Sequence, residues 1–152
     1  MLTQLHLWQL CLTLTGGSAP TRAASLSPEL RERCRDAMRA AETHPSQLQR
    51  SVAAAVSAVR AGFEQEAIEE QTGYSLDLAL CASCIAIEVD GPFHFMRDPL
   101  GKLWPSGPTR LKQRLLRAAG WHLINVPFYE WNALNGREEQ RAYVERWLRD
   151  AL

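Results

Sequence analysis

Apolar and polar positions alternate most strictly over two neighbouring stretches in the middle of the chain. In residues 74–80, Leu76, Leu78 and Leu80 share one face of a strand, while Ser75, Asp77 and Ala79 share the other. In residues 85–90, Ile85, Ile87 and Val89 oppose Ala86, Glu88 and Asp90. Only residues 81–84 separate the runs, a length suited to a hairpin loop. If Leu80 pairs with Ile85, Asp77 falls opposite Glu88. Like charges across a ladder destabilise it by roughly 0.2–1 kcal/mol, and by more if buried. A divalent cation, a neighbouring Lys or Arg, or a proton retained on one carboxyl would relieve the conflict; a solvated face would avoid it.

Helical periodicity brackets this hairpin. Residues 1–14 read as a helix burying Leu2, Leu5, Trp8 or Gln9, and Leu12, ended by Gly16-Gly17, with a small polar linker over 18–27. Residues 28–42 read as an exposed helix of mixed charge. Ser46-x-x-Gln49 is a capping box for a helix with Leu48, Val52, Val56 and Val59 on one stripe and Gly62 as the stop. Residues 63–71 fit either a strand or a turn, with Glu66 as a further acid. Residues 96–108, rich in Gly and Pro, read as a loop carrying Trp104. Thr109 then caps a helix over 110–119 that buries Leu111, Leu115 and Ala118 and stops at Gly120. An apolar strand over 121–126 follows, so the strand–helix–strand order predicts a parallel pair. Phe128, Tyr129 and Trp131 cluster next, and residues 138–152 form a closing amphipathic helix with Val144, Trp147, Leu148 and Ala151 inward. Trp121, Trp131 and Trp147 read as core. These elements predict an α/β fold, a small mixed sheet flanked by helices and preceded by short helices.

Composition narrows the function classes. At 152 residues with an ordinary apolar fraction, the chain suits one domain with an extra element, and neither disorder nor a membrane span is expected. Lys plus Arg equals Asp plus Glu, 17 each, so nucleic-acid binding would need a local basic patch. Cys11, Cys34, Cys81 and Cys84 form no disulfide or zinc framework and read as free thiols in a reducing compartment. Arg110, Lys112, Arg114 and Arg117 supply such a patch, with no acid among them. Phe93, Phe95 and Trp104 would offer stacking surfaces to unpaired bases. His94 suits a base, a metal ligand, a base-edge contact or a packed turn residue.

The strings IAIEVDGPFHF and GPTRLKQRLLRAAGWHLINVPFYEW resemble a RAP domain, the C-terminal module of many organellar RNA-binding proteins. The resemblance covers residues 85–131 and extends weakly to the C-terminus; SQLQRSVAAAV and GYSLDLAL resemble what leads into it. It implies a helical leader over 1–43, which would be the end of an upstream helical-repeat array. It further implies a helix and first strand of the α/β domain over 44–84, and the RAP domain with its C-terminal helix over 85–152. The family is similar in fold to restriction-endonuclease-like nucleases, notably the very-short-patch-repair type, which hold Mg²⁺ with an Asp and a Glu-x-Lys. Asp77 matches the first acid and Glu88 the second, but Asp90 stands where the Lys would be; Lys112 or His94 would have to replace it. The resemblance therefore implies RNA binding, to single strands, in organellar RNA processing, stability or translation. Other organellar RNA-processing proteins are implied as partners. The alternatives are a Mg²⁺- or Mn²⁺-dependent endoribonuclease with Asp77, Glu88 and Asp90 as metal ligands and Lys112 or His94 assisting, or a protein-interaction module. No transit-peptide pattern opens the sequence, so a mitochondrial or chloroplast location is what the resemblance implies.

Overall fold

A computed structural model describes residues 1–15, 26–40 and 45–151. The Gly16-Gly17 stop, most of the 18–27 linker and the end of the 28–42 helix lie outside the described residues. Ser46 caps α3 (Gln47–Val59) with the full reciprocal box: its side chain accepts from the Gln49 amide, and the Gln49 side chain accepts from the Ser46 amide. The segment left open between strand and turn is β1 (Glu64–Ile68). It pairs antiparallel with β2 (Ser75–Leu80), which pairs antiparallel with β3 (Ile85–Asp90). The register is the one the pattern required, Leu80 opposite Ile85. After α4 (Gly107–Ala118), β6 (His122–Pro127) returns parallel to β3, giving the sheet order β1-β2-β3-β6. This is a mixed α/β sheet flanked by helices, as the sequence indicated.

Each sheet face has its own core. Ile85, Ile87 and Val89 pack with Leu78, Leu80, α3 and α6 (Gly136–Ala151). Ala86 packs with Ala79 and Leu116 of α4 on the opposite face. Leu76 also belongs to that second cluster, so the expected Leu76-Leu78-Leu80 face is broken. The slip falls at Asp77, which is paired with neither neighbouring strand, opposite Glu66 whose φ is +52°.

Three further expectations are corrected. The 96–108 loop contains a second small sheet, β4 (Phe95–Arg97) paired with β5 (Leu103–Pro105). Ser106, not Thr109, precedes α4, and Thr109 is buried within its first turn, as are Leu115 and Leu116 further along, while Ala118 is exposed. The first helix, α1 (Leu2–Leu10), continues into a π-helical turn (Cys11–Thr15); it buries Gln9 as expected, but with His6 and Leu10, while Leu2, Leu5 and Leu12 are only partly covered. His6 Nε2 lies 2.6 Å from the Thr72 carbonyl, and α1 also packs on α2 (Pro28–Arg39). These helices seat closely on the turn before β2. At Gly73 (φ +75°) the left-handed backbone favours glycine, and an added Cβ would lie 3.4 Å from the Met38 side chain, an ordinary contact. The aromatic residues after β6 form a short α5 (Phe128–Trp131) that buries Trp131.

Candidate functional site

The two acids of β3 are not a solvated face. Glu88 and Asp90 are each 4% exposed, beneath the roof made by α1, α2 and α4. The parallel crossover makes this possible. It lays α4 across the acid face of β3, where Lys112 Nζ donates to Glu88 Oε2 at 2.5 Å. Lys112 also sits 5.7 Å from the Tyr74 ring centroid. Lys112 thus faces the buried acid from the following helix and turns inward, away from the arginines with which it was grouped.

Each carboxylate has a different set of partners. Asp77 Oδ1 accepts from Gln49 Nε2 at 2.7 Å and Oδ2 from the Val89 amide at 2.7 Å, so it locks α3 and β3 to the irregular point of β2. Asp90 Oδ1 lies 3.2 Å from His94 Nδ1, and Oδ2 accepts from Asn125 Nδ2 at 2.9 Å. His94 Nδ1 is also 3.4 Å from Thr109 Oγ1, which lies 3.0 Å from Ser106 Oγ. Glu88 differs: its Oε1 is buried without a hydrogen-bond partner. Burial pushes the Glu88 carboxyl up to about 7, with Lys112 opposing and the charge of Asp77 adding to the rise. Burial raises Asp77 in the same way, again against Lys112. His94 is raised chiefly by its hydrogen bond to Asp90.

These groups do not fit a Mg²⁺ or Mn²⁺ ion as arranged. Such ions need several free oxygen ligands, whereas both oxygens of Asp77 and of Asp90 are engaged and Lys112 holds one of Glu88. Among the described residues no three His, Cys, Asp or Glu side chains converge to hold a metal. The like-charge conflict is relieved by the buried lysine, by amide donors and by the raised Glu88 pKa.

A separate surface lies on the outer side of α4. Arg110, Arg114 and Arg117, with Gly107, Leu111 and Gln113, line a shallow groove of about 490 Å³. Arg114 also donates to Thr15 Oγ1, and Arg117 reaches Asn125 Oδ1 at 3.4 Å. The β4–β5 hairpin and the turn before it expose Phe93 (96%) and Trp104 (49%), and Lys102 Nζ lies 4.1 Å from the Trp104 ring centroid. Phe95, by contrast, packs against Phe128 and Tyr129 at 5.9 and 5.5 Å between centroids, so its ring is taken. Gln49, Thr109 and Asn125 escaped the sequence reading. Asn125 had a signal: it is the polar break in an apolar strand, and the parallel register sets it beside Glu88. Gln49 was legible only as a cap residue, and Thr109 only as a helix start.

Residues 87–146 match the family model of the RAP domain. That span includes Glu88, Asp90, His94, Lys112 and the three arginines, and excludes Asp77. A RAP domain-containing protein, chloroplastic, of Oryza sativa subsp. japonica is 43% identical over 76 residues, 50% of this chain and 11% of that protein. Trans-splicing factor Raa3, chloroplastic, of Chlamydomonas reinhardtii is 40% identical over 47 residues, 31% of this chain and 3% of that protein. The chain spans only a small part of either relative.

Proposed function

We propose, from the match of residues 87–146 to the RAP domain family, that this chain is an RNA-contacting module acting in organellar RNA processing. The observation that carries this reading is the acid-free arginine groove of α4 together with the exposed aromatics of the β4–β5 region. Guanidinium groups spaced along a helix can follow successive phosphates, and open rings accept unpaired bases of any sequence. Single-stranded RNA fits better than a duplex, whose stacked bases could not reach Phe93 or Trp104. The likeness to a chloroplastic trans-splicing factor and to a chloroplastic RAP domain-containing protein supports an organellar RNA role, and we place the work in the chloroplast. The nuclease alternative has no comparable support, since the carboxylates that would carry it are bonded to amides and to Lys112.

The test is binding of a labelled single-stranded RNA across a salt series, with Mg²⁺ or Mn²⁺ and with chelator. Binding that weakens steeply with salt, without cutting, is expected. Salt-insensitive binding or none would overturn the proposal in favour of apolar docking, and metal-dependent cutting would replace it with a nuclease.

A further inference from the structure

A cavity of about 280 Å³ opens between α1, α2, the end of β3 and α4. Leu7, Met38 and Tyr74 give it apolar walls, and Glu88, Lys112 and Gln113 give it polar ones. Its volume lies just under the ~300–1,000 Å³ usual for small-molecule sites, which suits a single ring system. Glu88 is almost wholly buried, and its Oε1 lacks the donor that a buried acceptor requires. Lys112, held on the neighbouring Oε2, has three N–H donors of which this bond uses one. Glu88, whose Oε1 is shut off from solvent, and Lys112 thus lie side by side among the side chains that line an apolar slot. Gln113 borders both this cavity and the arginine groove, so the two meet at a shared side chain of α4.

We propose that this cavity receives one unstacked nucleobase from a single strand whose phosphates lie along the arginine groove. The pairing edge of a nucleobase sets an N–H donor beside a carbonyl or ring-nitrogen acceptor. The donor meets Glu88 Oε1 and the acceptor meets Lys112 Nζ, while Leu7, Met38 and Tyr74 cover the ring. The inference rests on the RNA-contacting reading and adds to it a seat for one base, apart from the sequence-tolerant stacking on Phe93 and Trp104.

The experiment compares the full chain with Glu88→Gln and Leu7→Trp, using heptanucleotides of A, of C, of U and of abasic ribose phosphate. Leu7→Trp narrows the slot; Glu88→Gln preserves shape but replaces a titrating carboxyl by a neutral amide that always donates. Native-like thermal unfolding of each variant is confirmed first. The unsubstituted chain is expected to bind at least one base-bearing oligomer tenfold or more tighter than the abasic one. Leu7→Trp should shrink that preference at least fivefold with abasic binding unchanged, and Glu88→Gln should reorder the preference among A, C and U. A base preference untouched by both variants would overturn the base seat while leaving the groove as an RNA surface. Failure of every oligomer, abasic included, would overturn the RNA reading and the base seat together.

Discussion

Glu88 is the residue on which the buried site turns. Its folded pKa of about 7 lies above the ordinary 4.5, so the fold favours the protonated form. The resulting stability is fully present below the unfolded pKa and is lost as pH rises through 7. A shift of this size corresponds to on the order of 3 kcal/mol. Asp77 and His94 are raised as well, so both contribute with the same sign. Urea unfolding should therefore show lower stability at pH 8 than at pH 5, and Glu88→Gln should flatten the difference; parallel profiles for the two proteins would refute the assignment. Asp77 carries a different lesson. Asp77→Ala leaves the Val89 amide and Gln49 Nε2 without their acceptor, a loss of about 1–3 kcal/mol. Asp77→Asn, which keeps one carbonyl oxygen, should lose less. Were the two variants equally stable, the carboxylate would not be the clamp between β2, β3 and α3 described above.

At the scale of elements, the clamp and the cap share Gln49. Its side-chain oxygen completes the capping box of α3 while its nitrogen holds Asp77. Ser46→Ala should cost about 1 kcal/mol, the usual value of an N-cap. Gln49→Ala should cost about twice that, because the second bond is lost as well. Equal losses in equilibrium unfolding would mean that the Asp77 contact adds nothing. The cap, the hairpin register and the parallel crossover were legible because each depends on local spacing: Ser46 with Gln49, Leu80 with Ile85, a helix between two apolar strands. The β4–β5 sheet was not, since each strand is three residues long and bracketed by Gly and Pro, too short for alternation to register. The inward face of α1 was misread because a long-range contact, His6 to the Thr72 carbonyl, outweighs its leucine pattern. The acids were legible as a problem, and a neighbouring Lys or Arg as one of its three named solutions. Which solution the protein uses depended on how far α4 reaches over β3, a distance that no spacing along the chain encodes.

For the molecule as a whole, the absence of net charge removes any general attraction to polyanions, so the proposed RNA affinity must come from one face. The sheet separates the candidates: α4 covers one side, α3 and α6 the other. Arg137 and Arg149 lie on α6, across the sheet from the groove. Reversing Arg110 and Arg117 together to Glu, or Arg137 and Arg149 together to Glu, changes the net charge equally, so a nonspecific field would weaken binding alike in both. Phosphate contact along α4 instead predicts a loss of a hundredfold or more for the Arg110/Arg117 pair. The log-affinity against log-salt slope should become shallower by about 0.7 for each single-strand phosphate contact removed. The Arg137/Arg149 pair should bind within about twofold of the unsubstituted chain, the residual effect of distant charges across more than a Debye length of ~8–10 Å. Equal losses and equal slopes for the two pairs would dissolve the groove as a site, and with it the proposal that a chain of zero net charge holds RNA phosphates along a single helix.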